Sequence, residues 1–199
     1  MSLEPLPGVL SAIGNTPLVA LDQLRPPGAG PLWGKLESFN PGGSAKDRTA
    51  RALVRDAQRR GVLTKGSVVV ESSSGNLGVA LAREAVLGGW QFHCVVDRRT
   101  NASTLAHIRA LGATIHEVEQ ADPETGDWLV ARRALVATLV SELGAINLDQ
   151  YSNRAAFSAH EEGTMREIVE QLGSLDALSI PVGNAGNITA YWKGYREYA

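Results

Sequence analysis

The sequence predicts an α/β fold built on parallel sheet, and three observations predict it. Short β-rich runs alternate with amphipathic helical stretches along most of the chain. Several of those runs are apolar throughout, without polar alternation, as strands covered on both faces are. The stretches between them are long enough to be helical crossovers, which parallel strands require.

Strands are expected over Leu18–Leu21, Leu32–Leu36, Val68–Glu71, Phe92–Val96, Thr114–Val118 and Leu178–Pro181. The first helix is expected from Lys46 to Arg60, where Ala50, Leu53, Val54 and Ala57 fall on one stripe and Gly61 supplies a stop. Arg51, Arg55, Arg59 and Arg60 then form its solvated face. Further helices are expected over Leu77–Leu87, Ser103–Leu111, Trp128–Leu143, Arg154–Leu172 and Ile188–Tyr198, joined by loops that include Pro26–Pro31 and Ala121–Gly126. Glu161, Glu162 and Glu167 read as a solvated helix face. Trp128, Tyr191, Trp192, Tyr195 and Tyr198 read as packing residues.

The 199 residues are 44% apolar and 20% charged, with a net charge of −2. That balance gives no reason to expect nucleic acid or an anionic membrane surface as a partner. The first thirty residues lack a signal-peptide pattern, and no apolar run reaches the ~20 residues a spanning helix needs. The single cysteine, Cys94, sits in a strand-like run, so it is expected to be a buried structural thiol. One cysteine also fits a reducing cytoplasm. His93, His107, His116 and His160 show no zinc-ligand spacing, so no metal is expected.

Three strand-to-helix loops can hold chemistry. In Asn40–Arg48, Lys46 falls in the first turn of a helix, where the partial positive charge disfavours an ammonium. It is either a solvated lysine or an amine kept neutral enough to form a Schiff base. Gly42 and Gly43 would let the backbone approach a bound group. In Glu71–Gly78, Ser72, Ser73, Ser74 and Gly75 follow a strand and open a helix. They suit either helix capping or an N–H nest for a carboxylate or phosphate. In Pro181–Asn187, Gly183, Asn184, Ala185, Gly186 and Asn187 repeat that arrangement as a second anion site. Neither a phosphate loop of the Gly-Lys-Ser/Thr type nor a Gly-x-Gly-x-x-Gly fingerprint is present. Two anion sites and one activatable lysine together suit an amino-acid carboxylate, a cofactor phosphate and an imine, which points to pyridoxal 5′-phosphate (PLP).

Ile13-Gly14-Asn15-Thr16-Pro17-Leu18, the Asn40–Arg48 loop, Ser73–Gly78 and Asp149-Gln150-Tyr151-Ser152-Asn153 resemble fold-type II PLP enzymes of the cysteine synthase and cystathionine β-synthase superfamily. The resemblance implies two intertwined open parallel-sheet lobes of the tryptophan synthase β type. Residues 1–38 and 146–199 would belong to the larger, phosphate-binding lobe, and 39–145 would form the smaller, carboxylate-binding one. It implies that Lys46 bears the cofactor and later moves a proton, and that Asn76 bonds the cofactor's phenolic oxygen. Ser73, Ser74, Gly75 and Gln150, with Ser72 beside them, would hold the substrate carboxylate, and Gly183–Asn187 would cradle the PLP phosphate. The implied reaction is β-replacement on an O-activated serine, in a homodimer.

Leu77 stands where cysteine synthases usually carry threonine, and residues 98–105 depart from their pattern. With Gly126-Asp127-Trp128-Leu129, these features resemble synthases of a 2,3-diaminopropionate precursor for siderophores or antibiotics, which use O-phosphoserine and an amine. Arg132 is a candidate for the extra positive group such a substrate would suit. Gly183–Tyr198 resembles threonine synthase instead, while the lysine loop does not. Cysteine synthase, threonine synthase and a non-catalytic PLP-binding fragment stay open as alternatives. Family members continue past residue 199 with further strands and a group for the pyridine nitrogen, so the larger lobe is expected to be incomplete.

Overall fold

The computed structural model describes residues 5–181 and 185–199. Strands β1 (Leu18–Ala20) and β2 (Trp33–Lys35) pair antiparallel, Leu18 opposite Lys35. Strands β3 (Val68–Ser72), β4 (Gln91–Asp97) and β5 (Thr114–Val118) form a parallel sheet in that order. A bridge from Val69 to Ile146 extends it on the β3 side. The parallel sheet therefore lies in the middle of the chain, and the described residues outside it contribute only the antiparallel pair.

Helices cover both faces of the sheet, as its apolar strands require. On one face lie α1 (Lys46–Arg59), α2 (Asn76–Gly88) and α3 (Ala102–Ala110). Leu53, Val54, Leu81, Val69, Phe92, Val96 and Ile108 form one buried cluster between these helices and the strands. On the other face α4 (Trp128–Leu143) lays Val136 and Leu139 against Val70 and Val95. Each such fully buried side chain contributes about 1.5–3 kcal/mol. The helix starts are capped where the sequence offers a short polar side chain: Asn101 accepts from the Ser103 N–H, and Asp127 from that of Leu129.

The predicted helix over 154–172 is helical throughout but not uniform. It runs as α5 (Arg154–Ser158), a π-helical stretch (Ala159–Met165) and α6 (Arg166–Leu172). Helix α7 (Ala185–Tyr198) packs against it through Met165, Ile168, Val169 and Tyr191. Leu178–Pro181, expected as a strand, is not one. An apolar run becomes a strand only beside a free edge, and no backbone pairing reaches these residues among those described. Ile180 packs instead on the α6–α7 cluster, while Leu178 lies at the surface.

Candidate functional site

The lysine loop is held by Asp47. Its carboxylate accepts from the Gly42 N–H at 2.6 Å and pairs with Arg83 at 2.8 Å. A Cβ on Gly42 would collide with both partners, so only glycine lets the loop close over them. Lys46 follows as the first residue of α1, half-buried, and burial lowers its pKa. The cost of charging a desolvated amine and the field of the helix end act in the same direction.

Lys46 lines a cavity of about 390 Å³ with Thr49, Gln150, Phe157, Arg154 and Lys193 among its other walls. That volume lies within the about 300–1,000 Å³ of small-molecule sites. No carboxylate lines the cavity among the described residues, so its lining is cationic. Lys193 is paired with the buried Glu161 at 2.5 Å, while Arg154 has no ion-pair partner among the described residues. His160, buried against Thr49 and Thr164 and stacked on Tyr191, stands behind it. Burial, with the Lys46 charge added, pushes its pKa down to about 4, which keeps the ring neutral.

Behind Lys46 lies a buried ion network. Arg48 donates to Glu37 at 2.8 Å and to Glu167 at 2.6 Å, and Lys35 pairs with Glu167 at 2.8 Å. Thr16 donates to Glu37 at 2.7 Å, Asn15 N–H to Glu167 at 2.9 Å, and Gly14 N–H to the Asn40 side chain at 2.9 Å. Gly14 has φ +91°, and a Cβ there would press on Arg48 and Glu167. The Gly-Asn-Thr motif thus docks through its backbone on Asn40 of the lysine loop and Glu167 of α6, and meets the lysine helix through the Thr16 hydroxyl, which accepts from Arg48. Burial would raise the Glu167 pKa, but the bonds from Arg48 and Lys35 outweigh it and hold it at about 2.

This corrects the reading of Glu161, Glu162 and Glu167 as a solvated face. Glu161 and Glu167 are buried and only Glu162 is exposed. Their partners come from α7 and from the N-terminal third of the chain, which no local pattern on one helix can show.

Of the other expected site residues, Gln150 reaches Ser72, donating to its carbonyl at 2.6 Å. Ser73 spends its hydroxyl on the start of α2, accepting from the Gly78 N–H at 2.9 Å. Ser74 and Asn76 are exposed at that helix start, Gly75 is its N-cap, and none of them lines the Lys46 cavity. Gly183 and Asn184 lie outside the described residues; Ala185 opens α7, with Gly186 and Asn187 next in its first turn. Arg132 is buried and turned toward Asp97, 3.4 Å away, not toward Lys46. Cys94 is buried in β4, and burial pushes its thiol up to about 12. It is a packing group with no thiolate to offer.

The family described as pyridoxal-phosphate dependent enzyme matches residues 9–199. Among solved structures, O-ureido-L-serine synthase is 33% identical with a TM-score of 0.87, covering 98% of this chain and 60% of that one. A lysine-to-alanine mutant of O-ureido-L-serine synthase with O-ureido-L-serine bound is 32% identical with a TM-score of 0.88, covering 98% and 59%. This chain therefore spans about 60% of the length of both proteins.

Proposed function

Because this chain belongs to the pyridoxal-phosphate dependent enzyme family, we propose that it performs β-replacement on an O-activated L-serine with Lys46 as the residue that holds the cofactor. The observation that carries the reading is the partly desolvated Lys46 amine at the wall of a cavity that Gln150 shares and cationic side chains line. The lining fits an anionic cofactor and an amino-acid carboxylate; PLP, when bound, supplies an electron sink for cleavage at the substrate carbons. Lys46 binds it through the side-chain amine and then moves a proton at the substrate α-carbon. Gln150, fixed to the β3 end through Ser72, orients the substrate carboxylate with the Ser73–Gly75 turn. By the family resemblance, Asn76 and the 183–187 segment would complete the cofactor's polar contacts. The neutral His160 behind Lys46 adds no second charge to the pocket.

The relatives' named product, an O-substituted L-serine, supports β-replacement at a serine, while the donor and the amine nucleophile rest on the resemblance carried by Leu77, residues 98–105 and Gly126–Leu129. O-phosphoserine or O-acetylserine would be the donor and an amine the nucleophile, giving a 2,3-diaminopropionate precursor. The division into a 39–145 lobe and a 1–38 plus 146–199 lobe, and a homodimer, belong to the same proposal. The test is the visible absorbance of the chain with added PLP, compared with Lys46→Ala. A lysine-dependent band that changes on adding O-phosphoserine or O-acetylserine is expected. Identical spectra showing only free PLP would overturn the reading.

A further inference from the structure

Lys46, Arg154 and Lys193 line the first cavity, and no carboxylate does among the described residues. Two of these cations are engaged. Lys193 pairs with the buried Glu161 at 2.5 Å, and Lys46 gives its amine to the cofactor in the reaction proposed above. Arg154 is exposed and has no ion-pair partner among the described residues. It is the first residue of α5, directly after the N-cap Asn153. The Asn153 side chain accepts from the Ala155 N–H at 2.9 Å and donates to the Leu148 carbonyl at 3.0 Å. That fixes the start of α5 against the segment that carries Gln150, which lines the same cavity and is itself tied to Ser72.

A guanidinium in a cavity without carboxylates suits an anion. The proposed reaction brings a cofactor phosphate and a substrate carboxylate, for which residues 183–187 and the Ser73–Gly75 turn stand ready. An O-phosphoserine donor brings a third anionic group, and neither helix start serves it. Arg132, which the sequence suggests for that group, is turned toward Asp97 at 3.4 Å.

We propose that Arg154 determines the donor, holding the phosphate of O-phosphoserine and so selecting it over O-acetylserine. This role rests on Lys46 being the cofactor residue, as proposed above. A phosphate monoester carries between about −1.5 and −2 charges at pH 7, whereas the acetyl ester carries none at that place. The guanidinium stays protonated and offers two parallel N–H donors to the phosphate oxygens.

The PLP-loaded chain is titrated at pH 7 with O-phospho-L-serine and with O-acetyl-L-serine. Apparent dissociation constants are read from the change in the Lys46-dependent absorbance band. The wild type is expected to favour O-phosphoserine by about tenfold or more, the range of a charge-assisted hydrogen bond. Arg154→Gln should lower that ratio by about tenfold. Arg154→Lys, which keeps the charge and loses the fork, should restore part of it. Inorganic phosphate should compete with O-phosphoserine in the wild type and cease to do so in Arg154→Gln. A wild type that favours O-acetylserine, or the same ratio in wild type and Arg154→Gln, overturns the proposal. Weaker PLP retention in Arg154→Gln with the ratio unchanged overturns it too, and would make Arg154 a ligand of the cofactor phosphate. Absence of the Lys46-dependent band removes the proposed function and this role together. A normal band with an unchanged ratio removes the role of Arg154 alone.

Discussion

Arg48 shows what one buried charge does in this molecule. It neutralises Glu37 and Glu167 together, and its removal strands two carboxylates in a dry place. Arg48→Met is expected to cost about 3–5 kcal/mol in urea denaturation, since breaking a buried pair from one side leaves an uncompensated charge. The same network sets the acid limit. Glu167 is held down to about 2, so the stability it contributes is complete above the ordinary carboxylate range and drains as pH falls toward 2. Thermal melts between pH 5 and pH 2 should show that loss, and Arg48→Met should flatten it. The sequence marks Lys46 by its strand-to-helix loop and Gln150 only through the resemblance of residues 149–153, and the structure brings both to one cavity. Glu167 was not legible there, because its partners Arg48 and Asn15 lie 119 and 152 positions away. A glutamate on a polar-looking helix face carries no local mark of being buried.

The elements follow the same division. Strands β3, β4 and β5 and helices α1 to α4 could be read from period and caps because each is covered by its sequence neighbours. Leu178–Pro181 fails as a strand because apolar content alone supplies no pairing edge. The π-helical stretch within 159–165 is invisible to a 3.6-residue pattern, since one extra residue per turn leaves composition unchanged. The lysine loop is the element most exposed to a single substitution. Gly42→Ala places a methyl group in the space of Arg83 and Asp47. It should destabilise the chain by about 1–3 kcal/mol, the usual cost of overpacking. It should also reduce the PLP-dependent absorbance band at PLP concentrations that saturate the wild type, because Lys46 is four residues further on.

At the scale of the whole molecule, the apolar ledger is uneven. The sheet's two faces are filled, whereas the α6–α7 end keeps a cavity of about 510 Å³ lined by Met165, Leu178, Ile180, Ile188, Tyr191 and Trp192. Trp192 is 63% exposed, an unusual setting for the largest apolar side chain. A dye that fluoresces on apolar surface should therefore bind the folded chain, and Trp192→Glu should lower its signal by roughly half or more, with the circular dichroism unchanged. An unchanged dye signal would mean that this surface is covered in solution.

The Arg48 network has a further consequence, for the order in which the molecule opens. The Gly14–Thr16 backbone and α6 are far apart in the chain yet share one electrostatic clamp. Neither segment belongs to the sheet, so the clamp can release while β3, β4 and β5 stay folded. Residues 13–16 and 166–172 then form a single breathing unit. Their amide protons should exchange with solvent at matching rates, well ahead of the strands, and those rates should rise together as acid removes the charge from Glu167.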